Sequence, residues 1–118
     1  MSQNLLQAER AAIVGLATTA SHRFAVERSL GELTRLVDTA GATVVLCVLQ
    51  ERTSPDPNTF IGSGKVAALA EAVIDGDIDV VVVDAELTSA QLRQLEARLE
   101  RKVIDRTQVI LDIFASRA

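Results

Sequence analysis

The stretch TVVLCVL, residues 43–49, decides the fold. It is a continuous run of apolar, largely β-branched side chains without a charge. A strand that faces water on one side alternates apolar and polar residues, whereas this run does not, so it predicts a strand buried on both faces. Strands of that kind form parallel sheets covered by helices. Cys47 lies inside the run, and we expect it to be a small buried apolar residue.

The segment that precedes this strand shows the same alternation of strand and helix. Residues 11–17 are a short apolar run, which predicts the first strand. After a polar stretch, Ser29 and Glu32 have the spacing of a capping box and Gly41 supplies a C-terminal stop, so a helix is predicted between them. Its inward stripe at helical spacing consists of Leu33, Leu36, Val37 and Ala40.

The segment after this strand predicts a long loop, a helix and a third strand. Residues 52–62 hold both prolines of the chain and are predicted to be loop. The helix after them ends at the Asp-Gly-Asp of residues 75–77, and the four valines of residues 80–83 predict a buried strand. The stripe of that helix consists of Val66, Leu69, Ala70, Val73 and Ile74.

Two further capping signals divide the last thirty residues. Thr88 and Gln91 have the spacing of a capping box and predict the start of a third helix. Residues 102–104 predict a fourth short strand, and Asp105 with Gln108 predicts the cap of a last helix. The apolar residues of that last helix are Val109, Ile110, Ile113 and Phe114.

Four strands that alternate with four helices predict an α/β fold. The expected architecture is a three-layer sandwich with a four-stranded parallel sheet and right-handed crossovers. A strand order of 2-1-3-4 is expected, because that order covers both faces of the sheet. No stop signal occurs between the last helix and Ala118, so we expect this helix to be truncated.

Composition narrows the function classes. The 118 residues are enough for one domain, predicted to span residues 1–118, and 48% of them are hydrophobic. Three Phe without Trp or Tyr offer no platform for stacking nucleobases, and a net charge of −4 excludes a uniformly basic nucleic-acid binder. The single cysteine indicates a reducing compartment. No run reaches the roughly 18–20 apolar residues of a membrane span.

In an open parallel sheet, ligands bind at the carboxyl ends of the strands. The polar residues expected there are Thr18, Thr19, Glu51, Arg52, Asp84, Glu86, Asp105 and Arg106. We interpret the carboxylates mainly as structural, because Asp105 is a predicted helix cap and Asp84 precedes the next one. Phosphorelay receivers share this general fold, but Thr18 and Thr19 stand where their paired acids would be, so receiver function is not expected.

The segment Gly62-Ser63-Gly64-Lys65 opens the second helix and resembles part of a phosphate-binding loop. Free N–H groups, the positive end of the helix dipole and a lysine would together attract an anion. The full G-x-x-x-x-G-K-[ST] pattern is absent, because Thr59 and Val66 stand at its first and last positions. A triphosphatase site is therefore not expected. A weak anion or RNA-phosphate site and a plain loop-to-helix turn both remain open.

No catalytic residue and no metal site is predicted. His22 is the only histidine and is expected in an exposed loop, and Cys47 is the only cysteine. The acids lack the spacing of a calcium loop, and no G-x-S-x-G elbow occurs. Catalysis by this chain alone is therefore not expected.

Basic residues concentrate near the third helix and the fourth strand. They can form a solvated helix face or a patch that faces RNA or another partner, and the sequence leaves both interpretations open. The residues of this predicted basic patch are Arg93, Arg98, Arg101, Lys102 and Arg106.

Four blocks of this sequence, in the same order, closely resemble the N-terminal domain of the HflX GTPases. They are DTAGA (38–42), PDPNTFIGSGKV (55–66), ELTSAQLR (86–93), and VIDRT through ILDIFA (103–115). The resemblance extends over roughly residues 9–118. The family usually has Tyr where this chain has Phe60, and often Lys or Arg where it has Ser63, so the segment lacks one positive charge.

The resemblance implies a function that the residue patterns alone do not. HflX proteins are cytoplasmic GTPases that bind the large ribosomal subunit and its RNA and are implicated in splitting stalled or heat-damaged ribosomes. Their N-terminal domain is followed by a helical hairpin and a GTPase domain, which are therefore expected partners. The last helix is then the start of the hairpin. GTP and Mg²⁺ are expected for the GTPase domain, which is not in this chain.

The resemblance leads to three hypotheses for the chain itself. The first is a ribosome- and RNA-contacting module without hydrolytic activity. The second is a regulatory domain that binds ATP, a ligand proposed for the N-terminal domain of this family, in the strand-end crevice and controls the attached GTPase. The third is a purely structural role, in which the domain holds the helical hairpin in register. The segment from Gly62 to Lys65, with Arg52 nearby, is the first place to expect the phosphate contact in the first two cases.

Overall fold

The computed structural model describes residues 5–18 and 22–117. Strands and helices alternate along the chain, which confirms the predicted α/β class. The elements are β1 (Arg10–Ala17), α1 (Arg23–Thr39), β2 (Thr43–Glu51), α2 (Ser63–Asp75), β3 (Val80–Val83), α3 (Ser89–Leu99), β4 (Lys102–Asp105) and α4 (Arg106–Arg117). The predicted loop of residues 52–62 contains no helix or strand.

The four strands form one parallel sheet in the order β2-β1-β3-β4, as predicted. β1 pairs with β2 on one side and with β3 on the other. The chain moves outward from β1 to β2 and then crosses back past β1 to β3, so the direction of winding reverses between β1 and β3. Such a reversal leaves a crevice at the carboxyl ends of the two strands.

The helices cover the two faces of this sheet in pairs, which completes the three layers. Side chains of α1 and α4 pack on one face, and those of α2 and α3 pack on the other. Buried side chains of the first face include Ile13, Val26, Leu30, Leu33, Val37, Val82 and Val109. Those of the second include Val14, Val66, Leu69, Val73, Val81, Leu95 and Leu99.

The two strands β2 and β3, both predicted to be buried, differ in burial. All four valines of β3 are buried, as their sequence predicts. β2, in contrast, has exposed and half-buried positions along its whole length, so the prediction that it is buried on both faces is wrong. The predicted burial of Cys47 is wrong for the same reason. The strand order explains both, because β2 is an edge strand and has a neighbour on one side only.

Gly15 sets the distance between the sheet and α1. A Cβ atom at this position would lie 3.0 Å from both terminal carbons of Leu30, closer than ordinary van der Waals contact. The missing side chain therefore lets Leu30 pack directly on the backbone of β1. Gly41 has a different role: its φ of +99° ends the connection from α1 in a conformation that other residues rarely adopt.

Two of the three helix starts predicted from capping residues are confirmed. The hydroxyl of Thr88 accepts from the Gln91 N–H at 3.0 Å, and the Gln91 side chain accepts from the Thr88 N–H at 3.1 Å, which completes the capping box of α3. Asp105 accepts from the Gln108 N–H at 3.1 Å and caps α4. The third start is wrong: α1 begins at Arg23, and Ser29 lies inside it.

The predicted stripe of α2 is correct near its middle and wrong at its last position. Val66, Leu69 and Val73 of α2 are buried, but Ile74 is 65% exposed. On α4, Val109 is buried, whereas Phe114 is 70% exposed. Asp112 is buried instead, and its carboxylate accepts from the Leu5 N–H at 2.9 Å. The apolar side chains that α4 leaves exposed are Ile110, Leu111 and Phe114.

Candidate functional site

The carboxyl ends of the strands bring several predicted polar residues to one edge of the sheet. Arg52 directly follows β2, Asp84 directly follows β3, and Arg106 opens α4 after β4. Thr19, also predicted at this edge, lies outside the described residues. The edge divides into two parts, an ion-pair cluster around Asp84 and an open helix N-terminus near Arg52.

The ion-pair cluster joins α1, β3 and α4. Arg106 donates from Nη1 to Asp84 Oδ1 at 2.7 Å and to Ser29 Oγ at 2.9 Å, and from Nη2 to Glu32 Oε2 at 3.3 Å. The Asp84 side chain is only 5% exposed. A buried carboxylate needs such a partner, because leaving it unpaired costs several kcal/mol. These contacts fit a structural role for Asp84 and explain why Ser29 and Glu32 are polar although they are not a helix cap.

A cleft of about 320 Å³ lies beside this cluster at the β1 and β3 ends. Leu16 and Asp84 line it from the sheet. The α1 side is lined by His22, Ala25, Val26 and Ser29. His22 is exposed at the N-cap position of α1, and its Nδ1 is 3.4 Å from Thr18 Oγ1. The cleft is the crevice expected from the reversal of winding, and its walls combine apolar side chains with a neutralised carboxylate.

The open helix N-terminus belongs to α2. Its N-cap residue is Gly62, which provides no side-chain cap for the first N–H groups of the helix. Ser63 and Gly64 are exposed there, and Lys65 is half-buried. The first N–H groups of an uncapped helix carry a partial positive charge and are free to bind an anion.

Arg52 lies directly against this turn. A Cβ atom on Gly62 would be 2.6 Å from Arg52 Nη1, so the guanidinium occupies the space that any other residue would fill. Arg52 Nε donates to the carbonyl of Ser54 at 3.1 Å, which fixes its direction. Gln50 Oε1 accepts from the Gly62 N–H at 2.9 Å. The structure therefore brings the predicted phosphate segment and Arg52 together, and it adds Gln50, for which the sequence offered no signal.

The loop before Gly62 is ordered by its own hydrogen bonds. Asp56 Oδ1 accepts from the N–H of Asn58 at 2.7 Å and of Thr59 at 3.0 Å, and Asp56 and Phe60 exchange two backbone hydrogen bonds at 2.9 Å. Donation by Asn58 and then by Thr59 lowers the pKa of the Asp56 carboxyl from its ordinary value. Gln91 Nε2 donates to the Asp56 carbonyl at 2.9 Å and joins the loop to α3.

The five residues of the predicted basic patch have different surroundings. Arg93 and Arg98 are exposed on α3. Arg101 Nε donates to the carbonyl of Ile78 at 2.8 Å. The two others form ion pairs, Lys102 with Glu9 and Arg106 with Asp84. Among the described residues, carboxylates therefore neutralise Lys102 and Arg106, whereas Arg93 and Arg98 on α3 and Arg101 after it form no ion pair.

The last predicted candidate is a single side chain, Cys47, and no metal site is found beside it among the described residues. Within residues 5–18 and 22–117, no group of three or more His, Cys, Asp or Glu side chains is arranged to hold a metal ion. Desolvation raises the pKa of the Cys47 thiol, and the charge of Asp84 adds to the effect. A raised pKa disfavours the thiolate, so Cys47 lacks the main property of a reactive cysteine. None of the helices described is long and apolar enough to cross a membrane.

Comparison with known proteins shows which family this chain is similar to. Residues 27–115 match the family model described as GTP-binding GTPase N-terminal. The chain is 51% identical over 90 residues to the GTPase HflX of Lacrimispora saccharolytica, with 76% of this chain and 21% of that protein covered. It is 36% identical to the GTPase HflX of Flavobacterium psychrophilum over 118 residues, which cover 100% of this chain and 29% of that protein. For the Escherichia coli GTPase HflX the identity is 45% over 89 residues, which cover 75% of this chain and 21% of that protein.

Solved structures show the same fold at lower identity. A crystal structure of an SsGBP variant superposes with a TM-score of 0.71 at 19% identity and covers 92% of this chain and 33% of that chain. The complex of SsGBP with GDP gives a TM-score of 0.67, also at 19% identity, and the match covers 92% of this chain and 30% of that chain.

Fold and family match together define an α/β N-terminal domain of a GTP-binding GTPase. The sequence identity to the three HflX proteins supports this class and identifies the family of GTPases within it. The chain belongs to the HflX family and corresponds to the N-terminal domain of its GTPases. It spans 21–29% of the length of those three relatives.

Proposed function

We propose that this chain is the ribosome- and RNA-contacting domain of an HflX-like GTPase that splits and rescues ribosomes under stress. The partner is the large ribosomal subunit with its RNA, and the site of action is the cytoplasm. GTP and Mg²⁺ are then ligands of the GTPase domain of the parent protein. The chain itself contributes binding and no hydrolysis, since it lacks a complete phosphate-loop motif.

The observation that carries the proposal is the open N-terminus of α2 with Arg52 against Gly62. Phosphate groups of RNA are bound by backbone N–H groups, helix N-termini and basic side chains, and this turn offers all three. Binding through the backbone and two charges needs no aromatic side chains and no basic surface overall, which agrees with three Phe and a net charge of −4. Arg93 and Arg98 supply a second contact on the neighbouring α3.

Co-sedimentation of the full-length parent protein with large ribosomal subunits tests the proposal. A variant with Arg52→Ala and Lys65→Ala loses both side-chain contacts at the turn. The matched control carries Arg28→Ala and Arg35→Ala, two exposed arginines of α1 on the opposite face of the sheet, with the same loss of charge. We expect the first variant to bind at least tenfold more weakly and the control to bind as the unchanged protein does.

Two results would contradict the proposal. One is equal binding by the variant and the control, which would place the ribosome contact elsewhere in the parent protein. The other is the absence of binding by any form that contains this domain.

The exposed surface of α4 supports a second partner, the helical hairpin of the same protein. Ile110, Leu111 and Phe114 lie at positions i, i+1 and i+4 and therefore on one side of the helix, with exposures of 38%, 54% and 70%. A terminal helix with such a side is suited to pack against a further helix. The hairpin that comes after this domain in the family is the segment best placed to do so.

A further inference from the structure

β2 is an edge strand with a free backbone. It is nine residues long, pairs with β1 on one side, and has no other neighbour in the sheet. Its last ladder bond shows which groups are free: the Arg52 N–H donates to the carbonyl of Ala17. Since strand residues alternate in direction, the N–H and C=O groups of Cys47, Leu49 and Glu51 point away from β1. No described residue forms a hydrogen bond to them.

Edge strands of monomeric proteins usually carry features that prevent pairing with another chain. Charged side chains, prolines and very short edges are the common ones. Residues 43–50 contain no charged residue and no proline, and the one charge of β2 is Glu51 at its last position. The opposite edge, β4, has four residues and begins with Lys102 and ends with Asp105, so it is protected in the usual way. β2 is the unprotected edge.

One protective feature is present at the start of β2. The register between β1 and β2 shifts between Ala11 and Ala12, which leaves Val45 as an extra residue in β2. Such a bulge disturbs pairing locally. From Leu46 to Glu51 the register with β1 is regular, so a stretch of six residues keeps an even edge.

We propose that this edge is a self-association surface, on which β2 of a second copy adds in antiparallel orientation. A twofold axis at Val48 sets Leu46 opposite Gln50 and Cys47 opposite Leu49 of the other copy, so that no two charges of the same sign meet. Every copy presents the same strand, uncharged from Thr43 to Gln50, and a twofold interface is made of one surface used by both copies. The two four-stranded sheets then form one continuous sheet of eight strands.

The strength of this dimer depends on the size of the edge. With the axis at Val48, the five residues from Leu46 to Gln50 pair with the other copy, and they span only about 17 Å. An interface made mainly by one strand edge buries less than the roughly 1,200 Å² of a standard stable complex. The dimer is therefore weak and reversible, with dissociation in the micromolar to millimolar range.

Sedimentation equilibrium of the 118-residue chain between about 10 μM and 1 mM, under reducing conditions, tests the proposal. We expect the mean mass to rise from monomer toward dimer. Cys47→Lys places a charge on the exposed side of β2 and should weaken association at least tenfold. Gln94→Lys adds the same charge to the exposed face of α3 and should leave it unchanged. Cys47→Ser, uncharged and free of disulfide chemistry, should associate as the unchanged chain does.

Amide exchange measured by NMR gives an independent check that does not depend on a variant that folds. Protection of the Cys47 and Leu49 amides should rise with protein concentration, while that of Val48, already bonded to β1, should not. A chain that stays monomeric up to 1 mM overturns the proposal. The proposal is also overturned if the Cys47→Lys variant dimerises as readily as the unchanged chain. A third contradicting result is a dimer in which the Cys47 and Leu49 amides stay unprotected from exchange.

Discussion

Arg52 and Gly62 show how one small residue can position a charge. The guanidinium lies where a side chain on Gly62 would be, and the φ of Gly62 is −63°, which any residue can adopt. The glycine is therefore required by the close approach of Arg52 and not by the backbone conformation. Both residues are recognisable in the sequence as a basic residue and a glycine-rich turn, but ten residues separate them, and only the folded loop brings them into contact.

Gly62→Ala should displace Arg52 while it leaves the fold intact. The new methyl group meets the far end of a flexible side chain, so we expect the free energy of unfolding to change by less than about 1 kcal/mol. Binding of the domain to large ribosomal subunits should weaken as much as it does with Arg52→Ala. Urea unfolding and co-sedimentation of the same samples separate the two effects. Unchanged binding would mean that Arg52 does not contribute from this position.

Asp56 makes the stability of the loop depend on pH. The N–H donors of Asn58 and Thr59 lower its pKa in the folded state, so the carboxylate stabilises the fold at any pH above its ordinary pKa near 4. This contribution is lost as the pH falls through the lower folded value. The difference in unfolding free energy between the unchanged chain and Asp56→Asn should therefore shrink between about pH 5 and pH 2.

Urea unfolding across that pH range measures the difference. Glu71→Gln, at an exposed position of α2, is the control and should show no such trend. A difference that stays constant with pH would contradict the role of the Asp56 charge.

At the scale of elements, helix caps differ in the number of backbone groups they satisfy. Thr88 caps α3, whereas Asp105 caps α4 with one oxygen and accepts from the Leu87 N–H at 3.2 Å with the other. Loss of one cap costs about 1 kcal/mol. We expect Thr88→Ala to lower the free energy of unfolding by about 1 kcal/mol. Asp105→Ala should lower it by about 2 kcal/mol, because a second N–H, that of Leu87, also loses its partner.

Urea unfolding of the two variants, with Glu86→Ala at an exposed position as the control, checks this order. An equal or smaller loss for Asp105→Ala would show that the bond to Leu87 contributes nothing.

Local signals predicted the elements well and their surroundings less well. The capping box at Thr88 and the valines of β3 depend on near neighbours in sequence, and both are confirmed. Ser29 has the same capping spacing, yet it lies inside α1 and accepts from Arg106, a residue 77 positions away. β2 resembles a fully buried strand because its sequence is uniformly apolar, but its place at the sheet edge depends on the path of the whole chain.

At the scale of the whole molecule, we propose that the helical hairpin of the parent protein packs on the exposed side of α4. If the hairpin covers this side, then Phe114→Gln should reduce the stability of this domain in the full-length protein by more than about 1 kcal/mol. In the 118-residue chain the same substitution should change the free energy of unfolding by no more than about 0.5 kcal/mol, since Phe114 is 70% exposed.

The matched control is Phe24→Gln, on the exposed start of α1, where Phe24 is 82% exposed. Thermal unfolding of this domain in both forms of the protein supplies the measurement. An equal effect of Phe114→Gln in the chain and in the full-length protein would leave the hairpin without a contact at α4.

The salt dependence of binding shows whether the turn at Gly62 contacts RNA phosphate, as we propose. Each phosphate contact adds a roughly fixed increment to the slope of log affinity against log salt concentration. Binding of the 118-residue chain to large ribosomal subunits should weaken steeply between about 50 and 200 mM salt, and Lys65→Ala should reduce the slope by about one. Arg35→Ala should leave the slope unchanged. A slope that Lys65→Ala does not alter, or binding that is independent of salt, would mean that this turn does not contact RNA phosphate.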